Sequence, residues 1–112
     1  MAVIYVTGPY CAGKQTYIQK ALGLDEAAFS ACAVRDVQAL VPCENLEALA
    51  ERLAQKRVVL QTELGGGLVP MDPEERESRE AAGRLACMLA GRAESVVRVC
   101  CGLPQLLKGA WP

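Results

Sequence analysis

The chain has 112 residues, 52% of them hydrophobic but only 4% aromatic, with a formal net charge of -1. That length fits one domain, residues 1–112, built on Val, Leu and Ala, and the charge balance excludes a basic nucleic-acid face or a polybasic membrane anchor. Six cysteines without framework spacing, no C-x-x-C pair, no histidine and no membrane-length or signal-like apolar run lead us to expect reduced thiols, no zinc site and a cytoplasmic setting.

Residues 2–7, Ala-Val-Ile-Tyr-Val-Thr, form an apolar, largely β-branched run that reads as a buried strand. It leads into Gly8-Pro9-Tyr10-Cys11-Ala12-Gly13-Lys14, with glycines five positions apart and then a lysine, followed by residues that can open a helix. This is the layout of a phosphate-binding P-loop. Glycines let backbone N–H groups face the phosphates, the helix N-terminus adds partial positive charge, and Lys14 supplies a point charge. A Gly-rich turn with a solvated lysine is the plainer alternative. Gln15 stands where the pattern has the Ser or Thr that holds Mg²⁺, which bears on catalysis more than on binding. Cys11 is either a structural loop residue or a reactive thiol at a helix N-terminus.

Residues 14–22 place Tyr17, Ile18, Ala21 and Leu22 on one helical stripe, with Gly23 as a stop, and residues 25–29 suggest another short helical turn. Two apolar patches follow, 31–34 and 37–41. A strand ending near Asp36 would put its carboxylate at the sheet rim, where it could face Mg²⁺; an Asp capping a surface turn is the equal alternative. Asn45 can cap a helix running to about Gln55, with Leu46, Leu49, Ala50 and Leu53 inward.

Residues 58–62 read as a buried parallel strand with Glu63 at its carboxyl end. Gly65-Gly66-Gly67 then either bring backbone close to a ligand or make a flexible connection. A long helix is predicted from Asp72 or Pro73 through Ala90, ended by Gly91. Residues 94–101 read as a strand with Val97, Val99 and Cys101 on one face and Arg98 on the other, where it needs a partner or an edge. Residues 102–109 read as a turn with an apolar pair. Together these predict an α/β fold, a small mainly parallel sheet flanked by helices, P-loop NTPase-like, with right-handed crossovers.

Three stretches together resemble the adenosylcobinamide kinase / adenosylcobinamide-phosphate guanylyltransferase family of cobalamin biosynthesis. The first is the loop from Val6 to Lys14. The second is Val58-Val59-Leu60-Gln61-Thr62-Glu63-Leu64-Gly65-Gly66-Gly67-Leu68-Val69-Pro70, similar to a strand followed by T-N-E-V-G-x-G-I-V-P but one residue shorter. The third joins Arg79-Glu80-Ala81-Ala82-Gly83-Arg84, similar to R-D-x-x-G-x-x-N-Q, to a closing Val99-Cys100-Cys101-Gly102-Leu103-Pro104-Gln105-Leu106-Leu107-Lys108, similar to V-x-G-x-P-x-x-L-K.

The resemblance implies a purine nucleotide, ATP or GTP, with Mg²⁺, phosphorylation of a hydroxyl on a corrinoid substrate, and a homo-oligomer with shared active sites. It also implies guanylyl transfer through a histidine, but the segment that carries it has no counterpart here and the chain has no histidine. Ala86 and Cys87 replace the family's Asn and Gln. Lys14, Asp36 and Glu63 are the expected catalytic residues, and Thr16 and Asp36 the expected metal side. Nucleotide contacts are expected from Gly8, Cys11, Ala12, Gly13, Lys14, Gln15, Thr16, Gly65 and Gly67. The expected activity is a kinase, with a catalytically silent nucleotide-binding or scaffold homologue as the alternative.

Overall fold

The structure, a computed structural model, describes residues 3–41, 43–64 and 72–112. Its frame is a five-stranded sheet in the order β2-β3-β1-β4-β5, made of β1 (Ile4–Gly8), β2 (Ala33–Val34), β3 (Val58–Thr62), β4 (Ser95–Cys100) and β5 (Leu103–Lys108). The first four strands run parallel and β5 pairs antiparallel with β4. The α/β, mainly parallel fold expected from the sequence is therefore present. β1 is the middle strand, with Ile4 opposite Val58 on one side and Ser95 on the other.

Apolar residues on both faces of the inner strands demand cover on both sides. On one face Val6, Val58, Leu60, Val97 and Val99 pack with Ile18 of α1 (Lys14–Leu22) and Phe29 of α2 (Glu26–Cys32). On the other, Tyr5, Val59 and Val96 pack with Leu49 and Leu53 of α3 (Leu46–Leu53) and Leu85 and Leu89 of α4 (Pro73–Arg92). Alternation along β1 thus sends Tyr5 and Thr7 to the α3/α4 side and Val6 to the α1 side.

Local chemistry sets the helix ends. Gly23, left-handed at φ 66°, closes α1 with its N–H bonded to the Gln19 and Lys20 carbonyls. The side chains of Asp25, Asn45 and Asp72 cap α2, α3 and α4 by accepting from Ala28, Ala48 and Glu74 amides. α1 alone among these four starts without a side-chain cap.

The structure differs from the sequence reading in the elements around residues 31–41, in the tail and at the end of the last helix. The patch at 31–34 is split: Ala31 and Cys32 complete α2, carried by the Asp25 cap and buried Phe29, and only Ala33–Val34 is strand. The patch at 37–41 contains a 3₁₀ turn, Val37–Leu40, which buries Val37. The tail is a strand, because Cys101 and Gly102, at φ 54° and 74°, make a two-residue turn that folds β5 back onto β4. The last helix also runs past Gly91 to Arg92, where Lys108 Nζ donates to the carbonyls of Ala90 and Gly91 at 3.0 and 3.1 Å.

Candidate nucleotide site at the end of the central strand

The loop after β1 lies at the carboxyl edge of the parallel strands, where α/β sheets bind ligands. Gly8 makes the exit possible. Its φ is 156°, and a Cβ there would overlap the carbonyl oxygen of Val99 on β4. Gly13, at φ 89°, turns the chain into α1 against Gly102, whose N–H donates to the Ala12 carbonyl at 2.8 Å. Cys11 also sits at positive φ, 57°, and is exposed. The thiol is part of the loop's outer surface.

Because α1 opens at Lys14 behind an uncapped Gly13, the first-turn amides lack intrahelical partners and the positive end of the helix dipole faces the loop. Lys14 Nζ donates to the carbonyls of Pro9 at 2.9 Å and Gly8 at 3.4 Å. Burial lowers the Lys14 pKa from the ordinary lysine value, against the opposing pull of Asp36, Cys11 and Glu63.

A cleft of about 230 Å³ opens here, lined by residues 10–16 of the loop and by Arg35, Asp36, Leu60 and Thr62. Lys14, Gln15, Thr16 and Asp36 thus line one space. Asp36 is left-handed at φ 56° and is separated from β2 by Arg35, so the strand before it is real but only two residues long and ends at Val34. Gln38 Nε2 donates to Asp36 Oδ1 at 3.4 Å, and its Oε1 accepts from the Thr62 amide at 2.9 Å. These bonds link the turn after β2 to the end of β3. A second hollow of about 530 Å³, lined by Gly13, Thr16, Tyr17, Lys20, Ala21 and Gly102, shares Gly13 and Thr16 with the cleft.

Gln15 is fully engaged. Its Oε1 accepts from Arg35 Nη1 at 2.6 Å, and its Nε2 donates to Gln19 Oε1 at 3.2 Å and Glu26 Oε1 at 3.4 Å. In P-loops of this kind a hydroxyl at that position holds Mg²⁺. The residues present do not fit that role: the cation meeting the position-15 side chain is a guanidinium. Thr16 and Asp36 bring other oxygens to the cleft, and among the described residues no group of three His, Cys, Asp or Glu side chains assembles for a metal.

Glu63 stands apart. Its backbone N–H donates to the Gly8 carbonyl at 2.8 Å, while its carboxylate is bound to Arg98 Nε at 2.7 Å. The carboxylate in turn raises the Arg98 pKa, holding the guanidinium charged. Beside them Tyr5 donates to Gln61 Oε1 at 2.9 Å and Gln61 Nε2 donates to the Ala82 carbonyl at 2.9 Å, both buried. Gly65 and Gly67 lie outside the described residues. Sequence reading passed over Arg35, Gln38 and Thr62; the one available signal was that Arg35 immediately precedes Asp36.

A family model described as cobinamide kinase / cobinamide phosphate guanyltransferase matches residues 24–107, well over half of the chain. The chain belongs to this family. No curated protein matched the chain. The family match begins after the loop at 8–16 and after β1 and α1 on either side of it, so the cradle stands on its own sequence pattern and geometry, and the match covers the strands β2 to β5 and the helices α2 to α4 around it. Cobinamide kinases and guanyltransferases bind nucleotides and act as transferases in cobalamin biosynthesis, on a P-loop NTPase-like α/β fold, which is the architecture seen here. Among the described residues no helix is long and apolar enough to cross a membrane.

Proposed function

We propose that this chain binds a purine nucleoside triphosphate, ATP or GTP, over residues 8–16 and transfers its terminal phosphoryl group to a hydroxyl of a cobinamide-like corrinoid. The observation that carries the reading is the uncapped start of α1 behind the Gly8 and Gly13 turns, with Lys14 in the same cleft. Phosphoryl transfer asks for positioning and charge stabilisation and for no covalent nucleophile. Lys14 neutralises the outer phosphates, the loop amides orient them, and Asp36 faces them as the acceptor-side carboxylate. Thr16 offers a hydroxyl to the same space, and the hollow along Tyr17 and Lys20 has room for the nucleoside end. Glu63 contributes through the placement of Gly8, since its carboxylate is held by Arg98.

Guanylyl transfer through histidine is not part of this reading, for the chain has no histidine. A nucleotide-binding protein without turnover is the second reading, favoured by the engagement of Gln15 with Arg35. We also propose a homo-oligomer, supported by the exposure of Leu103 and Leu107 on the edge strand β5 and of Trp111 after it.

Calorimetry with ATP and GTP and a coupled kinase assay with cobinamide test this. Binding with turnover, both lost in Lys14→Ala, is the expected result. Binding without turnover leaves the second reading. Turnover unchanged in Lys14→Ala overturns the assignment of the loop.

A further inference from the structure

Arg35 is a cation on the rim of the cleft that none of the roles above uses. It is exposed, and among the described residues it makes no ion pair. Its place is nevertheless fixed from both sides. Nη1 is bonded at 2.6 Å to Gln15, whose amide is anchored to Gln19 and Glu26. On the other side, the turn that follows Arg35 is tied to the end of β3 by Gln38, through Asp36 and the Thr62 amide. One guanidinium donor is used by Gln15, and four N–H groups remain for another acceptor.

A guanidinium with spare donors matches phosphate oxygens in geometry and charge. Lys14 and Arg35 face one carboxylate in the cleft, Asp36, which opposes an anion but leaves the side-chain balance positive. Gln15 is neutral, as a hydroxyl ligand would be, and presents its amide oxygen to that guanidinium. The usual order at this position, hydroxyl then metal then phosphate, has become amide then guanidinium.

Resting on the nucleotide-binding reading above, we propose that Arg35, held by Gln15, binds the nucleotide's phosphates directly and supplies the charge that Mg²⁺ supplies in other P-loops, so that binding here does not require the metal. Gln15 is then a positioning residue and Arg35 a ligand-binding one. The alternative, a simple tether between α1 and the turn after β2, predicts no effect on affinity beyond any effect on stability.

The test is calorimetric titration of the whole chain with ATP and with GTP, in excess Mg²⁺ and in EDTA, for the unaltered protein, Arg35→Gln and Lys14→Ala, with thermal unfolding of each. The unaltered protein is expected to bind within about threefold as tightly in EDTA as in Mg²⁺. Arg35→Gln is expected to lose about tenfold or more in both media, the scale of one charge-assisted contact, with an unchanged melting temperature. Should Arg35→Gln unfold, the EDTA comparison on the unaltered protein still decides. Affinity lost in Lys14→Ala but kept in Arg35→Gln overturns this proposal and leaves the loop assignment standing. Binding by the unaltered protein that disappears in EDTA also overturns it. No binding by the unaltered protein in either medium overturns the loop assignment, and this proposal with it.

Discussion

Arg98 on β4 reaches past the central strand to Glu63 at the end of β3, Nε to Oε1 at 2.7 Å, and so clasps the two strands that flank the nucleotide loop. The same Glu63 gives its backbone N–H to the Gly8 carbonyl at 2.8 Å. The ion pair is therefore placed to set where the loop begins, although both partners are partly open to solvent.

Removing the clasp should change binding more than stability, because a partly exposed pair is screened by water. Arg98→Met is expected to leave the urea midpoint nearly unchanged while weakening ATP binding a few-fold, about two- to fivefold. Glu63→Gln should give the same weakening, and the double variant no more than either alone. Additive losses would mean that the two residues act separately. Calorimetry on the four proteins of that cycle provides the check.

Gly8 offers a sharper test of packing. A methyl group there meets the Val99 carbonyl, and relief requires β1 and β4 to separate at their carboxyl ends. Gly8→Ala is expected to cost about 2–4 kcal/mol, in the range of overpacking and strained-backbone substitutions. Gly23→Ala is a useful contrast, for nothing lies near its Cβ position and only the left-handed φ of 66° opposes the change, at about 1 kcal/mol. Urea unfolding of both variants measures the difference.

Burial pushes the Tyr5 phenol up to about 12, with the Thr7 hydroxyl pulling the other way. The folded protein thus keeps this proton to a higher pH than the unfolded chain, whose tyrosine titrates near the ordinary value of about 10. Its contribution is fully present below pH 10 and is lost as pH rises through about 12, an expected loss on the order of 2–3 kcal/mol. Tyr5→Phe removes that slope. At neutral pH it costs about 1–3 kcal/mol, since Gln61 Oε1 loses its buried donor. The difference between the stability-versus-pH curves of the two proteins isolates the effect from other titrating groups.

The β5 edge carries the test of assembly. Leu107 is 53% exposed on an edge strand. Sedimentation should show an oligomer at micromolar concentration, and Leu107→Lys should shift it toward the monomer. A monomeric unaltered protein would contradict the oligomer.

The sheet, its helices and the cradle were legible because their signals are local: β-branched runs, an amphipathic period, glycines at fixed spacing. β5 was hidden because Cys101-Gly102 is an uncommon pair for a hairpin turn and Pro104 argues against a strand, a penalty that vanishes at an edge. The strand expected to end near Asp36 is β2, which stops at Val34, and the start of its apolar patch is helix because Ala31 and Cys32 suit a helix as well as a strand. Within the site, Lys14 and Asp36 could be read from pattern. Arg35 could not, since its place depends on Gln15, twenty positions earlier, and only folding brings the two together.

The position of β1 also has a consequence in time. Made first, it ends as the innermost strand, with neighbours that begin at residues 58 and 95. A nascent chain therefore carries the nucleotide loop without its β4 wall until residues 95–100 have been synthesised, and pairings this long in sequence slow folding. The loop's two turning glycines thus rest on residues made much later, Gly8 against Val99 and Gly13 against Gly102, so the cradle takes its shape only when the β4–β5 hairpin docks.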